Sequence, residues 1–307
     1  MPATRVLTAL AGCLLTLSAA LFLVPPRALP DRLAVIAEDA VRIDNDFYST
    51  HDWWHVDQPL RLFNAARIPW FVQQWSHKLS GPSGDERSPT FLDVGSGGGI
   101  ATEALARSFA SARFVGVDLS EGSIVAAQRH AKVSGLDIEY IVGPAYDLPF
   151  SSATFDGAVC SDVLEHLHDV PRALSEIARV LKPGGVFVFD TINRTRFSWL
   201  LVVRIAQDLL HIVPHAAHDW RLFITPAELD LALRQANLVP CDLAEIVGMR
   251  PTVQLRPLFD AILGKYWTGG TRERGLLASL LGPWTLTAHQ GGSYLGHATK
   301  APVEEPH

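Results

Sequence analysis

The chain has 307 residues, of which 48% are hydrophobic and 19% are charged, and its formal net charge is −6. This composition is sufficient for a packed core and excludes a globally disordered chain. The negative charge gives no sign of a basic surface, so we expect no nucleic-acid partner. Cys13, Cys160 and Cys241 are widely scattered, which excludes a disulfide framework or a zinc knuckle and is typical of a reducing compartment.

The N-terminal 30 residues differ in character from the rest of the chain. Residues 6–24 contain no charged side chain and read VLTALAGCLLTLSAALFLV, with Arg5 before them and Arg27 after them. A helix of this length is about long enough to cross a bilayer, which takes roughly 20 residues. Residues 1–30 are therefore either a hydrophobic anchor or organellar targeting segment, or a cleavable signal peptide with small residues near its end.

Residues 31–88 are predicted to form an N-terminal helical region, which ends in the polar stretch SGPSGDERS. The main domain is predicted over residues 89–300, where short apolar stretches alternate with longer amphipathic ones. The predicted strands are 90–94, 113–117, 138–142, 155–161 and 186–190, and the predicted helices between them are 100–109, 121–134 and 170–181. This alternation indicates an α/β fold with a doubly wound, mostly parallel sheet covered on both faces. Ligands of such sheets bind at the carboxyl ends of the strands.

Two insertions and two further elements are predicted after this core. Residues 196–225 form an apolar insertion, and residues 255–285 are predicted to be a mixed helical insertion. Thr225 is predicted to cap a helix, because Pro226 follows it and a glutamate stands three positions after it. Residues 293–299 are predicted to be a final edge strand.

The sequence DVGSGGG at residues 93–99 follows the first predicted strand and opens the first helix. A glycine turn at this place lets the backbone approach a ligand closely and presents free helix N–H groups. Ile100 occupies the last glycine position of the dinucleotide fingerprint G-x-G-x-x-G, which disfavours an NAD-dependent oxidoreductase. Asp118 ends the second strand, where a carboxylate can accept hydrogen bonds from both ribose hydroxyls. The glycine run alone could be a structural turn, but together with Asp118 it indicates a nucleotide-like ligand.

Five stretches, LDVGSGGG, VGVDLS, GPAYDLPF, FDGAVCSDVLEHL and LKPGGVFVF, resemble in this order the motifs of class I methyltransferases that use S-adenosylmethionine (SAM). The resemblance spans roughly residues 91–189 and implies a Rossmann-like fold with SAM as the cofactor. It implies cofactor contacts from Asp93, Gly95, Gly97, Asp118, Ala145, Tyr146 and Ser161. Ala145 and Tyr146 would flank the adenine, although Pro144 stands where many members carry an aspartate.

Outside this core, NDFYSTHDWW, LRLFNAARIPW, TINRTRFSWL and IVPHAAHDWRLFITPAEL resemble the UbiG-type O-methyltransferases of ubiquinone biosynthesis. That family methylates phenolic hydroxyls on polyprenylated rings, so the expected acceptor is a lipophilic phenol or quinone precursor. Asn64 and Arg67 fall on the family's Asn-x-x-Arg, which implies that Arg67 contacts SAM through its methionine carboxylate. Residues 248–251 read GMRP and depart from the family's Gly-x-x-Tyr-Asn-Pro. Another small-molecule acceptor, or a non-catalytic scaffold in a membrane complex, is the alternative.

Asp162, Glu165 and His166 match the family's acid-x-x-Glu-His cluster, which in eukaryotic relatives is linked to a magnesium ion. Asp162 and Glu165 are three residues apart, so one helical turn would place both carboxylates on one face. A metal at these three residues could lower the pKa of a phenol, and without a metal Glu165 or His166 could act as the general base. The alternative is that the cluster only packs and caps a helix.

His215, His218 and Asp219 form a second polar cluster. No further pair of ligands with zinc-like spacing accompanies them, which disfavours a metal site. The resemblance to the family's His-Asp instead implies a role in a substrate loop.

The resemblance places a mobile, membrane-touching insertion at the apolar stretch that begins near residue 197. A prenylated substrate lies in the bilayer, so we expect a membrane surface and a quinone-biosynthesis complex as partners. SAM is made inside cells, which favours a retained anchor over an exported protein. Arg27 and Arg32 then favour a catalytic domain on the cytoplasmic or matrix-type side of the membrane.

Overall fold

The computed structural model describes residues 31–39, 41, 43, 46–55, 59–79, 88–209, 214, 216–253 and 281–302. The apolar stretch 6–24, His215 and residues 254–280 lie outside these ranges. Within them, no helix combines the length and the apolar character that crossing a membrane would need.

The described chain begins with two helices and then alternates between strands and helices. In order, the elements are α1 (Asp46–Thr50), α2 (Pro59–Leu79), β1 (Thr90–Val94), α3 (Ile100–Ser108), β2 (Arg113–Asp118), α4 (Glu121–Ser134), β3 (Ile138–Val142) and β4 (Phe155–Ser161). They continue with a 3₁₀ turn (Leu164–His166), α5 (Val170–Val180), β5 (Leu181–Ile192), α6 (Arg196–Ser198), a π-helix that extends it (Trp199–Leu209), a 3₁₀ turn (Trp220–Leu222), α7 (Pro226–Gln235), β6 (Leu238–Pro240), β7 (Val247–Val253), β8 (Leu281–Thr287) and β9 (Ser293–Lys300). The strands and helices predicted between residues 90 and 190 are thus confirmed.

The strands form one sheet in the order β3-β2-β1-β4-β5-β9-β7-β8, with β6 paired to β9. Strands β1 to β5 are parallel to their neighbours, whereas β9 runs antiparallel to β5. The doubly wound α/β fold is therefore confirmed. The chain runs outward from β1 to β3 and then returns to β4, so the strand order reverses between β1 and β4. In sheets of this type, ligands bind at such a switch point, at the carboxyl ends of the strands.

Helix α4 shows how local sequence sets these elements. Ser120 caps its N-terminus, where the Ser120 hydroxyl accepts a hydrogen bond from Ser123 N. Gly135, with φ 67°, ends the helix in the left-handed conformation that suits glycine. The capping box predicted for α7 is confirmed: Thr225 accepts from Glu228 N, and Glu228 accepts from Thr225 N at 2.9 Å.

The C-terminal part of the sheet departs from the prediction in two places. Strand β9 is not an edge strand, because it pairs with β5 on one side and with β7 on the other. Its residues Tyr294 to Ala298 are buried. Strand β8 overlaps the end of the predicted helical insertion 255–285, because residues 281–287 pair with β7. Pairing with a distant strand overrides local preference there.

Helix α2 connects the N-terminal region to the sheet. The Trp75 side chain is fully buried, stacks on Phe91 with 4.2 Å between ring centroids, and donates a hydrogen bond to Val186 O at 3.1 Å. This contact fixes the helix against the sheet and carries Arg67 to the ends of β4 and β5.

Candidate active site

The glycine turn between β1 and α3 has the backbone conformation that the motif predicts. Gly95, Gly97 and Gly99 have φ angles of 76°, 51° and 83°, which side-chain-bearing residues rarely adopt. Gly95 N donates to Val117 O at 2.7 Å, so the turn is fixed against the end of β2. The turn lies at the switch point of the sheet, where a cofactor is expected.

Asp118 links the glycine turn to the start of α4. Its carboxylate accepts hydrogen bonds from Gly97 N and from Ser120 N, each at 2.8 Å. Burial raises the pKa of Asp118, although both backbone hydrogen bonds act in the opposite direction. Each carboxylate oxygen keeps a free lone pair beyond these two bonds. The residue and the turn therefore fit the cofactor that the motifs imply.

Asp93 lies inside the protein rather than on the surface of the turn. Its carboxylate is buried and accepts a hydrogen bond from Thr102 Oγ1 at 2.6 Å. Burial raises the pKa of Asp93 to about 6. The geometry makes Asp93 a support for the turn, and its contact with SAM stays a prediction.

Arg67 lies at the centre of a buried ionic group at the ends of β4 and β5. Its guanidinium pairs with Asp162 and with Asp190, the latter at 3.0 Å, and Asn64 Oδ1 accepts from Arg67 Nε at 2.7 Å. Burial acts to lower the pKa of Arg67, but the two carboxylates outweigh it and raise that pKa. The predicted contact between Arg67 and SAM stays a prediction, because both carboxylates already occupy the guanidinium.

The three remaining predicted cofactor residues lie around the same edge of the sheet. Ser161 ends β4 and donates to Asp190 Oδ1 at 2.5 Å. Tyr146 accepts a hydrogen bond from His168 N at 2.8 Å, which places its ring beside the loop after β4. Ala145 and Tyr146 are partly buried against the core. Their contacts with the adenine stay predictions.

The structure separates the carboxylates of Asp162 and Glu165, which were predicted to share one helical face. Asp162 has φ 54°, and the 3₁₀ turn begins only at Leu164, so no helical turn joins the two residues. Asp162 turns to Arg67, whereas Glu165 Oε2 accepts from Thr191 Oγ1 at 2.8 Å. Burial and the nearby Asp162 raise the pKa of the fully buried Glu165 well above its ordinary value. Burial therefore favours the neutral form of Glu165 relative to a carboxylate in water.

His166 lies beside two other rings. Its imidazole meets Tyr48 edge-on at 6.0 Å between centroids and lies 4.9 Å from the ring of His218. Burial lowers the pKa of His166 to about 4 and that of His218 to about 3. Both imidazoles are neutral at physiological pH, and His166 can accept a proton.

Within the described ranges, no three or more His, Cys, Asp or Glu side chains are arranged to hold a metal ion. The partners of these side chains explain this, because Asp162 is paired with Arg67 and Glu165 accepts a hydrogen bond from Thr191. Of the second cluster, Asp219 pairs with Arg221 at 2.6 Å, and His218 lies near His166. The residues as arranged do not fit a magnesium ion, whose ligands are converging oxygen atoms.

Sequence reasoning missed four residues of the site: Asp190, Thr191, Tyr48 and Trp53. Asp190 and Thr191 lie near the end of β5, and a polar pair in an otherwise apolar strand was a usable signal. Tyr48 and Trp53 belong to the aromatic run FYSTHDWW, but nothing local to that run indicates what it packs against.

Comparison with known proteins agrees with this geometry. The family described as "Methyltransferase domain" matches residues 92–189. A ubiquinone biosynthesis O-methyltransferase from Ruegeria pomeroyi is 36% identical over 197 residues, covering 62% of this chain and 79% of the relative. One from Thiobacillus denitrificans is 35% identical over 219 residues, covering 69% of this chain and 87% of the relative.

Two solved structures share the fold at low identity. A protein described as a sarcosine dimethylglycine methyltransferase from Galdieria sulphuraria is 18% identical with a TM-score of 0.52, covering 76% of this chain and 85% of the other. The YcgJ protein from Bacillus subtilis is 18% identical with a TM-score of 0.50, covering 76% and 97%. At this identity they bear on the fold alone. The relatives at about 35% identity, each covered over more than two thirds of its length, show that the chain belongs to the family of SAM-dependent O-methyltransferases that the ubiquinone biosynthesis enzymes represent.

Proposed function

We propose that this methyltransferase acts on a phenolic hydroxyl of a lipophilic, polyprenylated quinone precursor. The names of its relatives support this acceptor. The observation that carries the proposal is the position of His166, a neutral imidazole between the aromatic residues near the glycine turn and an apolar helix. That helix is tied to the site because Gln207 Oε1 accepts from His218 N at 2.9 Å, and the His218 ring packs on His166.

His166 is assigned as the proton acceptor. When bound at the glycine turn and Asp118, SAM supplies an electrophilic methyl group. The phenolic oxygen would lose its proton to the imidazole and take the methyl group, whose bond to the sulfonium sulfur breaks, so that S-adenosylhomocysteine is the leaving group. Glu165 is not assigned this role, because its carboxylate is fully buried and already accepts a hydrogen bond from Thr191 Oγ1. Its hydrogen bond with Thr191 holds the 3₁₀ turn that carries His166.

The magnesium ion that the family resemblance implies has no part in the proposed reaction. Asp162, Glu165 and His166 would have to bind the ion, and in the present arrangement their side chains turn to different partners. No step is therefore derived through a metal. Sensitivity of the reaction to EDTA would show that the three side chains rearrange around an ion.

The membrane surface is proposed as the place where the acceptor enters. The helix formed by residues 196–209 buries Ser198 and Gln207 but exposes Phe197, Leu201 and Leu209. An exposed apolar face of this kind can lie in the interface of a bilayer, where a prenylated substrate is dissolved. The catalytic domain would then lie on the cytoplasmic or matrix-type side, where SAM is made.

The test is methyl transfer from labelled SAM to a short-chain demethylubiquinol analogue, with and without EDTA, and with catechol as a second acceptor. We expect transfer that EDTA does not abolish. His166→Gln should lower turnover by about 100-fold or more, the usual contribution of a general base, with SAM binding kept. Glu165→Gln is the matched control and should keep most of the turnover, because an amide oxygen at this position can still accept from Thr191 Oγ1.

Two outcomes would contradict parts of the proposal. Loss of turnover in Glu165→Gln with retention in His166→Gln would reverse the assignment of the base. SAM binding without transfer to either phenol would mean that the acceptor belongs to another chemical class.

A further inference from the structure

Residues 46–55, here called the aromatic cover, pack directly on the glycine turn. A Cβ atom placed on Gly97 would lie 2.6 Å from Trp53 Cη2, and one placed on Gly98 would lie 2.2 Å from Trp53 Cγ. The indole of Trp53 is thus in van der Waals contact with the backbone of the turn. The indole lies where the missing side chains of Gly97 and Gly98 leave the backbone of the turn accessible.

Hydrogen bonds hold the cover to the elements that carry the cofactor residues. Trp53 Nε1 donates to Ser123 Oγ at 3.1 Å, and Ser123 Oγ lies 3.1 Å from Tyr48 O, to which it donates. Trp54 Nε1 donates to Gly98 O at 2.9 Å. The ring of Trp54 also stacks on His130 of α4, with an angle of 4° between the planes. The cover therefore spans both the glycine turn and the first turns of α4.

The other side of the cover faces the proposed base. The ring of Tyr48 stacks on Trp53 at 5.8 Å with an angle of 18°, and it meets His166 edge-on. Tyr48 and Trp53 thus form a continuous row of rings between the glycine turn and His166. The cover therefore contacts both the turn that is expected to hold the cofactor and the proposed base.

We propose that Trp53 belongs to the cofactor site and holds the aromatic cover closed over the glycine turn. The cover lifts for SAM to bind and for S-adenosylhomocysteine to leave, and it closes between these steps. The inference rests on SAM binding at the glycine turn. It adds that the rates of cofactor exchange are set by a segment that precedes the methyltransferase domain in sequence.

Binding kinetics test this inference without any acceptor. In the wild type, the observed rate of SAM association should level off at high SAM concentration, because opening of the cover becomes limiting. Trp53→Ala should remove this limit and speed the release of labelled S-adenosylhomocysteine, chased with unlabelled compound, by about tenfold or more. Trp53→Phe, which keeps a ring but loses the bond to Ser123, should give a smaller increase. Trp284→Phe, in β8, is the matched control and should leave both rates unchanged.

A reversible cross-link gives a second, independent readout. Ser49 Oγ and Ser120 Oγ lie 3.3 Å apart, so cysteines at these positions are within reach of a disulfide. In a Cys13→Ser background, oxidised Ser49→Cys/Ser120→Cys should bind SAM at least tenfold more slowly, and reductant should restore the rate. Each single variant should not respond to oxidant, and titration of free thiols checks that the bond has formed.

The outcomes separate the inference from the proposed function. If the wild type binds SAM and the Trp53 variants exchange it at wild-type rates, the cover does not control exchange and the inference is wrong. If the cross-linked protein binds SAM at the rate of the reduced protein, the cover does not need to lift. Failure of the folded wild type to bind SAM would instead overturn the assignment of the cofactor site itself.

Discussion

Burial decides the protonation states of the residues around the ends of β4 and β5. The sequence offers Glu165 and His166 as equal candidates for the general base, because both ordinarily titrate below neutral pH. Burial raises the pKa of Glu165 and lowers that of His166 to about 4, so it favours the neutral form of each side chain. The choice between them depends on solvent exclusion, which no local sequence pattern shows.

Asp93 allows a test of this effect on stability. Its pKa is raised from an ordinary value near 3.8 to about 6, so the folded state holds the proton more tightly than the unfolded state does. Proton binding at Asp93 therefore stabilises the folded state by an amount on the order of 3 kcal/mol. This stabilisation is fully present below about pH 4 and is lost as the pH rises through 6. Asp93→Asn keeps an acceptor for Thr102 and removes the titration. At pH 7.5 the free energy of unfolding of this variant should therefore be about 2 kcal/mol higher than that of the wild type.

The measurement is urea denaturation between pH 4.5 and pH 7.5 in the absence of SAM. The difference between Asp93→Asn and the wild type should grow with pH across this range. Asp137→Asn, at an exposed position of the same residue type, is the matched control. If the free energies of unfolding of the wild type and of Asp93→Asn changed with pH in the same way, the pKa of Asp93 would not be raised in the folded protein.

At the scale of elements, the helix over residues 196–209 buries polar side chains and exposes apolar ones, which reverses the usual arrangement. Its buried side chains, Ser198 and Gln207, are polar and make hydrogen bonds inside the protein. Its exposed side chains include Phe197, Leu201 and Leu209. Exposed apolar patches can mark interaction surfaces, and we expect a lipid surface to be the partner of these side chains.

Liposome flotation tests this surface. A chain that begins at residue 31 and shows a cooperative thermal transition should float with anionic vesicles, although it lacks the apolar stretch 6–24. Replacing Phe197, Leu201 and Leu209 together by serine should abolish flotation and leave the melting temperature nearly unchanged, because these side chains are exposed. Leu231→Ser, at an equally exposed leucine of α7, should not change flotation. A chain from residue 31 that stays with the soluble fraction would exclude this helix as a membrane contact.

At the scale of the whole molecule, SAM binding should be linked to stability. A ligand at 100 times its dissociation constant stabilises the folded state by about 2.7 kcal/mol, and a tenfold loss of affinity reduces this to about 1.4 kcal/mol. Asp118→Ala should therefore lower the SAM-induced shift in melting temperature by half or more, since it removes the acceptor for Gly97 N and Ser120 N.

Differential scanning fluorimetry with and without SAM measures this shift. Asp137→Ala, at the exposed position before the N-terminal end of β3, is the control. A wild type that shows no shift would favour the alternative of a non-catalytic scaffold. A normal shift in Asp118→Ala would place the ribose contact elsewhere.

Local signals in the sequence determined much of the molecule. Residues 90–190 fold as predicted because the period of apolar residues distinguishes strand from helix, and because DVGSGGG needs φ angles that glycine provides. Asp118 ends β2 as expected, since strand ends follow from the same period. Each of these features depends on residues close together in the chain.

Only the tertiary structure decided how distant residues meet. Arg67 contacts Asp162 and Asp190, which are 95 and 123 residues away along the chain. Strand β9 lies inside the sheet because β5 and β7 flank it, and Trp53 lies on the glycine turn because α1 packs against α4. Such contacts depend on the closure of long loops and on the exclusion of water, and both are properties of the assembled core.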